Sequence, residues 1–499
     1  MVAKNTSDCP DRTDRNDYAE DLRGDICFYP TGESAESAYK RSSPSTPYQA
    51  SNAWAWVSLL IEVKTCHSHC AFGFEVKEKP ANKHVAAEDK TAQSGDVGPS
   101  SGHGDSRDPH LASSPPSTSN ATPPSNDPVA TTSLSSAPQD SRDDSESHAS
   151  SPQLPDQEYQ ATKAKKPKKP SVVLPLLPKG DYAQRSLGQI AEYVAKVLRR
   201  QHRLHFFTIY VYAGQARVIR WDRAGVIIST PFDFEEDPTL LYQVIWRYAC
   251  MTRTQRGYDP TAALATKEEI AEMRAFQCKP HEGWLAQARD NALDKPGWPV
   301  YKISMSPESL VDVQKLNPIT DDISRDEESN FEALKQRAEA ANELCFIVGR
   351  CYFASSSPTG RGTKAYIAYD RCGRRLVFLK DCWRSYIDDE TTPSEGYMLE
   401  FLRTRKVPNV PTPLAYEDVR TPEGAYQETY TQRLLAKHEE TDCKPTVQRH
   451  YRLVVKEIGR PLEDHQTPNE LAWCVYNAFQ GHLHFDSLEF RPLMPPRSP

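Results

Sequence analysis

The sequence predicts an α+β protein in two folded parts, the first of them split by a long polar insertion. Three observations predict it. Short apolar runs rich in aromatic and β-branched residues, such as "HFFTIYVYAGQARVIRWDRAGVIIST", are broken by glycine turns and have the length of strands. Segments of helical period flank them, with Ile190, Tyr193, Val194, Val197 and Leu198 sharing one face of "SLGQIAEYVAKVLRRQH". Between about residues 77 and 170 aromatic and branched apolar residues nearly vanish, and Ser, Pro, Asp, Thr, Gln and Ala take over.

Composition sets the bounds. A chain of 499 residues has room for two or three domains, yet only 38% is hydrophobic, mean hydropathy is -0.68 and there are 40 prolines. Polar disordered segments must therefore dilute a globular remainder. The net charge of -7 gives no overall basic field, so a nucleic-acid partner would need a local patch. No apolar run reaches the length of a membrane span and the N-terminus lacks a signal-peptide core, so the expectation is an intracellular protein of nucleus or cytoplasm, with no membrane. The 12 scattered cysteines suit reduced thiols.

In order, residues 1–76 form the first part of an N-terminal α/β module. "DICFYP" reads as a short strand entered through Asp25, and "WAWVSLLIEVK" as a second strand ending in Glu62-x-Lys64. "CHSHC" follows, with Cys66, His67, His69 and Cys70, and reads as a polar turn because no second ligand pair stands near it. Residues 77–170 are the expected disordered linker; its Lys163, Lys165, Lys166, Lys168 and Lys169 suit either a nuclear-import signal or a solvated face. Residues 171–262 complete the module. A helix capped by Ser186 leads to strands turning at Gly214 and Gly225, then to a helix burying Leu240, Leu241, Val244, Ile245 and Tyr248.

Residues 263–340 read as a charged, partly helical connector. From 341 a second module begins, organised around "GRGTKAYIAYDRCGRRLVFLK": a glycine-rich turn between strands, then a strand closed by Lys380. Small side chains at Gly360 and Gly362 would let backbone N–H groups approach phosphate, and Lys380 would add a point charge; an ordinary hairpin turn fits the same Gly-x-Gly pair. "SEGYMLEFLRTR" is a short helix, "HYRLVVKEIGRPL" a strand with a kinked exit, and "TPNELAWCVYNAFQGHL" an amphipathic helix whose periodicity is lost after His482. Residues 483–499 read as an aberrant or disordered tail.

Strand, glycine loop, strand with lysine, helix with acidic residues, strand and hinge follow in the order of a protein-kinase N-lobe. The strings "RVIRWDRAGVIIS", "GRGTKAYIAYD", "RLVFLKDCWR", "VPNVPTP" and "HYRLVVKEIGRPL" make the sequence resemble the fungal-type protein kinase family over roughly residues 23–76 and 180–482. The resemblance implies an ATP-dependent Ser/Thr-type kinase using Mg²⁺, with Gly360 and Gly362 over the phosphates and Lys380 on the α and β phosphates. It implies Glu395, or else Glu400, as the partner of Lys380, and adenine at the backbone from Val455 to Gly459 with Val455 or Lys456 near the gatekeeper position. Ala365 stands where the loop's third glycine would. The H-x-D that follows the strand and helix of this module, His484 to Asp486, has Arg491 five residues on rather than asparagine, and no Asp-Phe-Gly follows. The expectation is a lobe truncated before its catalytic loop, which binds ATP without transferring phosphate by itself and offers its exposed underside to a protein partner.

The N-terminal module resembles restriction-endonuclease-like nucleases in its order of motifs: Asp25, then Glu62-x-Lys64 at a strand end, then Gln189 and Tyr193 on the following helix. That resemblance implies an alternative, Mg²⁺ held by two carboxylates with Lys64 helping to activate water and nucleic acid as the substrate.

Overall fold

The computed structural model describes residues 1–11, 22–74, 176–313, 316, 325–435 and 446–487. The chain divides into two units, Met1–Val76 with Val173–Pro499 and Lys77–Val172, and the described residues belong to the first. The insertion read at 77–170, its basic run and residues 488–499 lie outside the described residues.

The first sheet is built from β1 (Val2–Asn5), β2 (Ile26–Tyr29), helix α1 (Glu33–Tyr39), β3 (Leu59–Lys64), α2 (Asp181–Arg200), β4 (Phe206–Tyr212), β5 (Gln215–Asp222), β6 (Gly225–Ile228), β7 (Phe232–Asp233) and α3 (Pro238–Cys250). Its strands lie in the order β1 to β6, with β7 beside β5. Only β3 and β4 pair in parallel, and a parallel pair needs a crossover, which α2 supplies. Ile190, Tyr193, Val194 and Val197 of α2 are buried against Leu60, Phe206, Tyr210 and Trp221.

Two details depart from the pattern in the sequence. Helix α2 begins at Asp181, and Ser186 is a buried residue within it rather than its cap. Ala183 and Ser186 continue the buried stripe of Ile190 back by two turns, so burial extends the helix past the serine. On α3, Asp237 caps the helix through the Thr239 amide at 3.0 Å. Val244, Ile245 and Tyr248 pack on Leu59, Ile61 and Ile209, whereas Leu240 is exposed one turn too early to reach them.

The second sheet is antiparallel throughout and contains β8 (Ala262–Leu264), α4 (Lys267–Ala275), α5 (Gly283–Leu293), β9 (Tyr301–Met305), α6 (Arg325–Ala341), β10 (Leu344–Val348), β11 (Phe353–Ala354), β12 (Lys364–Asp370), β13 (Arg375–Ser385), α7 (Glu395–Thr404), β14 (Pro413–Asp418), α8 (Thr431–Leu435), β15 (Gln448–Val455) and α9 (Pro468–Ser487). The order is β14-β15-β13-β12-β10-β9-β8, with β11 beside β12. Residues read as a connector thus contribute most of β8 and all of β9, because Tyr301, Ile303 and Met305 alternate inward and join the core of β10 and β12. Helix α9 continues to Ser487, beyond the loss of periodicity read at His482. No helix among the described residues is long and apolar enough to cross a membrane.

A buried polar seam joins the two sheets. Arg452 on β15 is fully buried and donates to Asp259 at 2.6 Å and to Asp381 on β13 at 3.1 Å. His450 lies between Gln427 at 2.7 Å and Asp381 at 3.1 Å. Lys364, buried at the start of β12, donates to the carbonyl of Gln201 at 2.7 Å, directly after α2. Buried charges survive only when paired and hydrogen-bonded, and here the segment after α2 supplies the carbonyl that accepts from Lys364 of the second sheet.

Candidate functional site

Register on β13 puts alternate residues on opposite faces. Asp381 points into the seam, so Lys380, its neighbour, points away from it toward α7. The Lys380 ammonium meets the Glu395 carboxylate at 2.5 Å, with Lys380 one-fifth exposed. Glu395 opens α7, whose Ser394 cap accepts from the Tyr397 amide at 3.3 Å, and an acidic side chain in a first turn is favoured by the helix dipole. Gly396 lets the helix approach this closely: a Cβ there would fall 2.1 Å from the Tyr416 ring. Its amide also donates to the Tyr451 hydroxyl at 2.7 Å. Glu400 is not on Lys380. It is hydrogen-bonded with Tyr416, and burial raises its carboxyl above the ordinary range.

Opposite Lys380 in the ladder stands Ala365, at the foot of the glycine-rich loop. Gly360 and Gly362 take φ of +77° and +49°, a region that favours glycine. The Gly360 amide donates to the Arg223 carbonyl at 2.8 Å, and a Cβ on Gly362 would lie 2.4 Å from the Arg223 guanidinium carbon. The protein therefore uses the smallness of Gly362 for its own packing. Val455 is buried with Phe378 and Cys382, which flank Lys380 on its face of β13, and with Leu399 of α7. Beyond it, the Lys456 amide donates to Thr412, and the Glu457 carboxylate accepts from the Thr412 amide and hydroxyl, both at 2.7 Å. A cavity of about 1930 Å³ lies between α7, β14 and the turn at Ser306–Ser309, but neither Lys380 nor the glycine loop lines it.

A second constellation sits on the first sheet. Lys64 donates to Glu62 at 2.7 Å and to Gln189 at 3.0 Å. Gln189 donates to the Tyr193 hydroxyl at 2.5 Å, and Tyr193 donates to the carbonyl of Arg23 at 2.6 Å. Asp25 accepts from the Val63 amide, between Glu62 and Lys64, at 2.7 Å. The five residues named from the sequence are thus brought together, because the crossover helix lays Gln189 and Tyr193 beside the end of β3. Glu62 is 2% exposed and its second carboxylate oxygen has no hydrogen-bond partner among the described residues. Burial first, then the charge of Asp25, pushes the Glu62 carboxyl up to about 7, against the pull of Lys64. Burial raises Asp25 and Tyr193 as well.

The "CHSHC" stretch forms a single tight turn, His67–His69, with Cys66 exposed and the Cys70 thiol directed at the Cys66 carbonyl. Among the described residues, no group of three or more His, Cys, Asp and Glu side chains is placed to hold a metal ion. Residues the sequence reading passed over are Arg223 and the seam formed by Asp259, Asp381, His450 and Arg452. The signal for Asp381 was a carboxylate at buried parity between Leu379 and Trp383; for Arg223 there was none beyond its turn.

A family model described as "Fungal protein kinase" matches residues 157–289 and 316–487. No curated protein and no solved structure matches the chain.

Proposed function

The chain belongs to the fungal protein kinase family, and from that membership we propose that the second sheet is the nucleotide-binding lobe of a protein kinase. The observation that carries the reading is the Lys380–Glu395 contact, a strand lysine oriented by a helix glutamate. ATP is the cofactor. Lys380 serves its α and β phosphates, the glycine loop covers them, and the backbone after Val455 meets adenine. In the chemistry of the family, ATP with Mg²⁺ would supply a phosphoryl group for a protein Ser/Thr substrate; the part proposed for the residues of this lobe is to hold and orient the nucleotide. His484 and Asp486 lie on α9 and Arg491 stands five residues beyond Asp486, and the activity proposed for residues 1–499 is nucleotide binding without transfer. Incubating the purified full chain with Mg²⁺, labelled ATP and a generic protein substrate tests this. Retention of nucleotide without transfer of label is expected, and transfer that disappears in Lys380→Ala overturns the binding-only part. A protein partner enters through α9, whose Trp473, Tyr476, Phe479 and Leu483 are exposed. Replacing Trp473 and Phe479 by serine is expected to reduce self-association in sedimentation velocity.

A second reading, a Mg²⁺-dependent nuclease-like module on the first sheet, is favoured by the connected set of Asp25, Glu62, Lys64, Gln189 and Tyr193. The donor set fits the ion: a buried carboxylate with one unsatisfied oxygen stands beside a second carboxylate. Asp25 and Glu62 would hold Mg²⁺, which would supply charge for activating water. Because the ion competes with a proton on Glu62, Mg²⁺ affinity measured by calorimetry is expected to rise about tenfold per pH unit below 7 and to level off above it. A pH-independent affinity sinks the assignment of Glu62, and nicking of nucleic acid that survives Glu62→Ala sinks the nuclease.

A further inference from the structure

We propose that Arg223, in the turn between β5 and β6, is the positioning residue of the glycine-rich loop, so that the first sheet fixes the nucleotide-facing loop of the second. The inference rests on the nucleotide-binding reading above. The guanidinium donates to the carbonyls of Ser357 at 3.2 Å and Pro358 at 3.1 Å, and the Arg223 carbonyl accepts from the Gly360 amide at 2.8 Å. The loop is therefore held at three points along four residues by one residue of another sheet.

The turn that presents Arg223 is itself fixed. Asp222 accepts from the Ala224 amide at 2.9 Å and, through its other oxygen, from the Tyr430 and Thr431 amides at 2.9 and 3.0 Å. Arg223 is 5% exposed and its Nε has no partner among the described residues. A buried cation that meets only backbone carbonyls is costly. Burial lowers its pKa to about 10, with Asp381, the neighbour of Lys380, pulling the other way, so the group stays charged at neutral pH. What the arrangement gains is loop geometry. Gly362 leaves the space the guanidinium fills, and the loop is set before a ligand arrives, so less ordering is lost on binding.

The test compares the wild-type full chain with Arg223→Gln and Gly362→Ala by hydrogen exchange without nucleotide, then by titration with a fluorescent ATP analogue in Mg²⁺. In Arg223→Gln, amides of residues 355–363 are expected to exchange about tenfold faster while the rest of both sheets is unchanged. The analogue is expected to bind about tenfold more weakly, mostly through faster release. Gly362→Ala should change both in the same direction, by its clash with the guanidinium and by the strain of a side chain at φ +49°, and only the part of its effect that vanishes in the Arg223→Gln background belongs to the contact. Equal loop exchange in variant and wild type overturns the proposal, as does faster exchange with unchanged or tighter nucleotide binding. If the wild-type chain takes up no analogue, the nucleotide reading fails, and the exchange comparison still decides whether Arg223 fixes the loop. Should Arg223→Gln lose its far-ultraviolet dichroism, Arg223→Lys, which keeps the buried charge but not the guanidinium, decides in its place, with faster exchange of residues 355–363 expected and unchanged exchange overturning the proposal.

Discussion

Replacing Arg452 by alanine lowers the stability of the folded chain by about 3–5 kcal/mol, read as the shift of its urea unfolding curve. The magnitude follows from what is left behind. Arg452 is fully buried and satisfies Asp259 and Asp381, besides the Thr261 hydroxyl at 2.8 Å and the Ser304 carbonyl at 3.0 Å. Without it two buried carboxylates face each other's field with no guanidinium bonded to either; His450 and His202 stand beside Asp381, and the Lys364 and Arg223 charges act on it without a hydrogen bond. Methionine at 452 restores volume but not charge, so a stable Arg452→Met variant would show that packing, not ion pairing, holds the seam. The pH dependence has a defined sign. Burial alone would raise Asp259, but Arg452 and His450 hold it down to about 2, and Asp381 is likewise held well below the ordinary range. Carboxylates depressed in the folded state contribute stability that is complete above their unfolded pKa, near 4, and is lost as pH falls toward 2. The alanine variant should show a flatter acid limb than the wild type.

Lys380→Met weakens binding of an ATP analogue about tenfold to a hundredfold, the range expected for losing a charge-assisted hydrogen bond to phosphate. The lower end is the better expectation because the ammonium is one-fifth exposed and partly screened. Glu395→Gln should cost less, since the amide still orients the lysine while removing the balancing charge. Wild-type binding that persists undiminished in Lys380→Met would remove the phosphate role. The order of effects matters too: a larger loss in Glu395→Gln than in Lys380→Met would mean that the glutamate holds α7 in place rather than orienting the lysine.

How much of this could be read in the chain depends on the range of the contacts. The pairing of Lys380 with Glu395 comes from the resemblance, which leaves Glu400 open; the chain itself shows a lysine on an apolar strand and, fifteen residues on, a carboxylate just inside a serine cap, and β13 runs past the lysine to Ser385 rather than closing there. The first-sheet set was also legible, although Lys64 and Gln189 are 125 residues apart, because Glu-x-Lys at a strand end and Gln-xxx-Tyr on a helix are each local patterns. The seam was not. Arg452 and Asp259 are 193 residues apart, and each is a lone polar residue whose partner only the folded topology reveals. Strand β9 carried its alternation of Tyr301, Ile303 and Met305 openly, but charged helices on either side hid it, and 263–340 read as a connector. The exposure of Leu240 reflects where α3 sits on its sheet, which periodicity does not specify.

Strand β10 is paired along its whole length with β9, Leu344 to Val348 opposite Met305 to Tyr301, and over Phe346 to Val348 with β12 on its other edge. A genetic rearrangement that separated the codons before residue 341 from those after it would leave that central strand with an unpaired apolar edge, prone to pairing with other chains. The strands of residues 262–305 and those after residue 341 therefore form one unit, and a gene carrying only the later strands would be expected to yield an aggregating product.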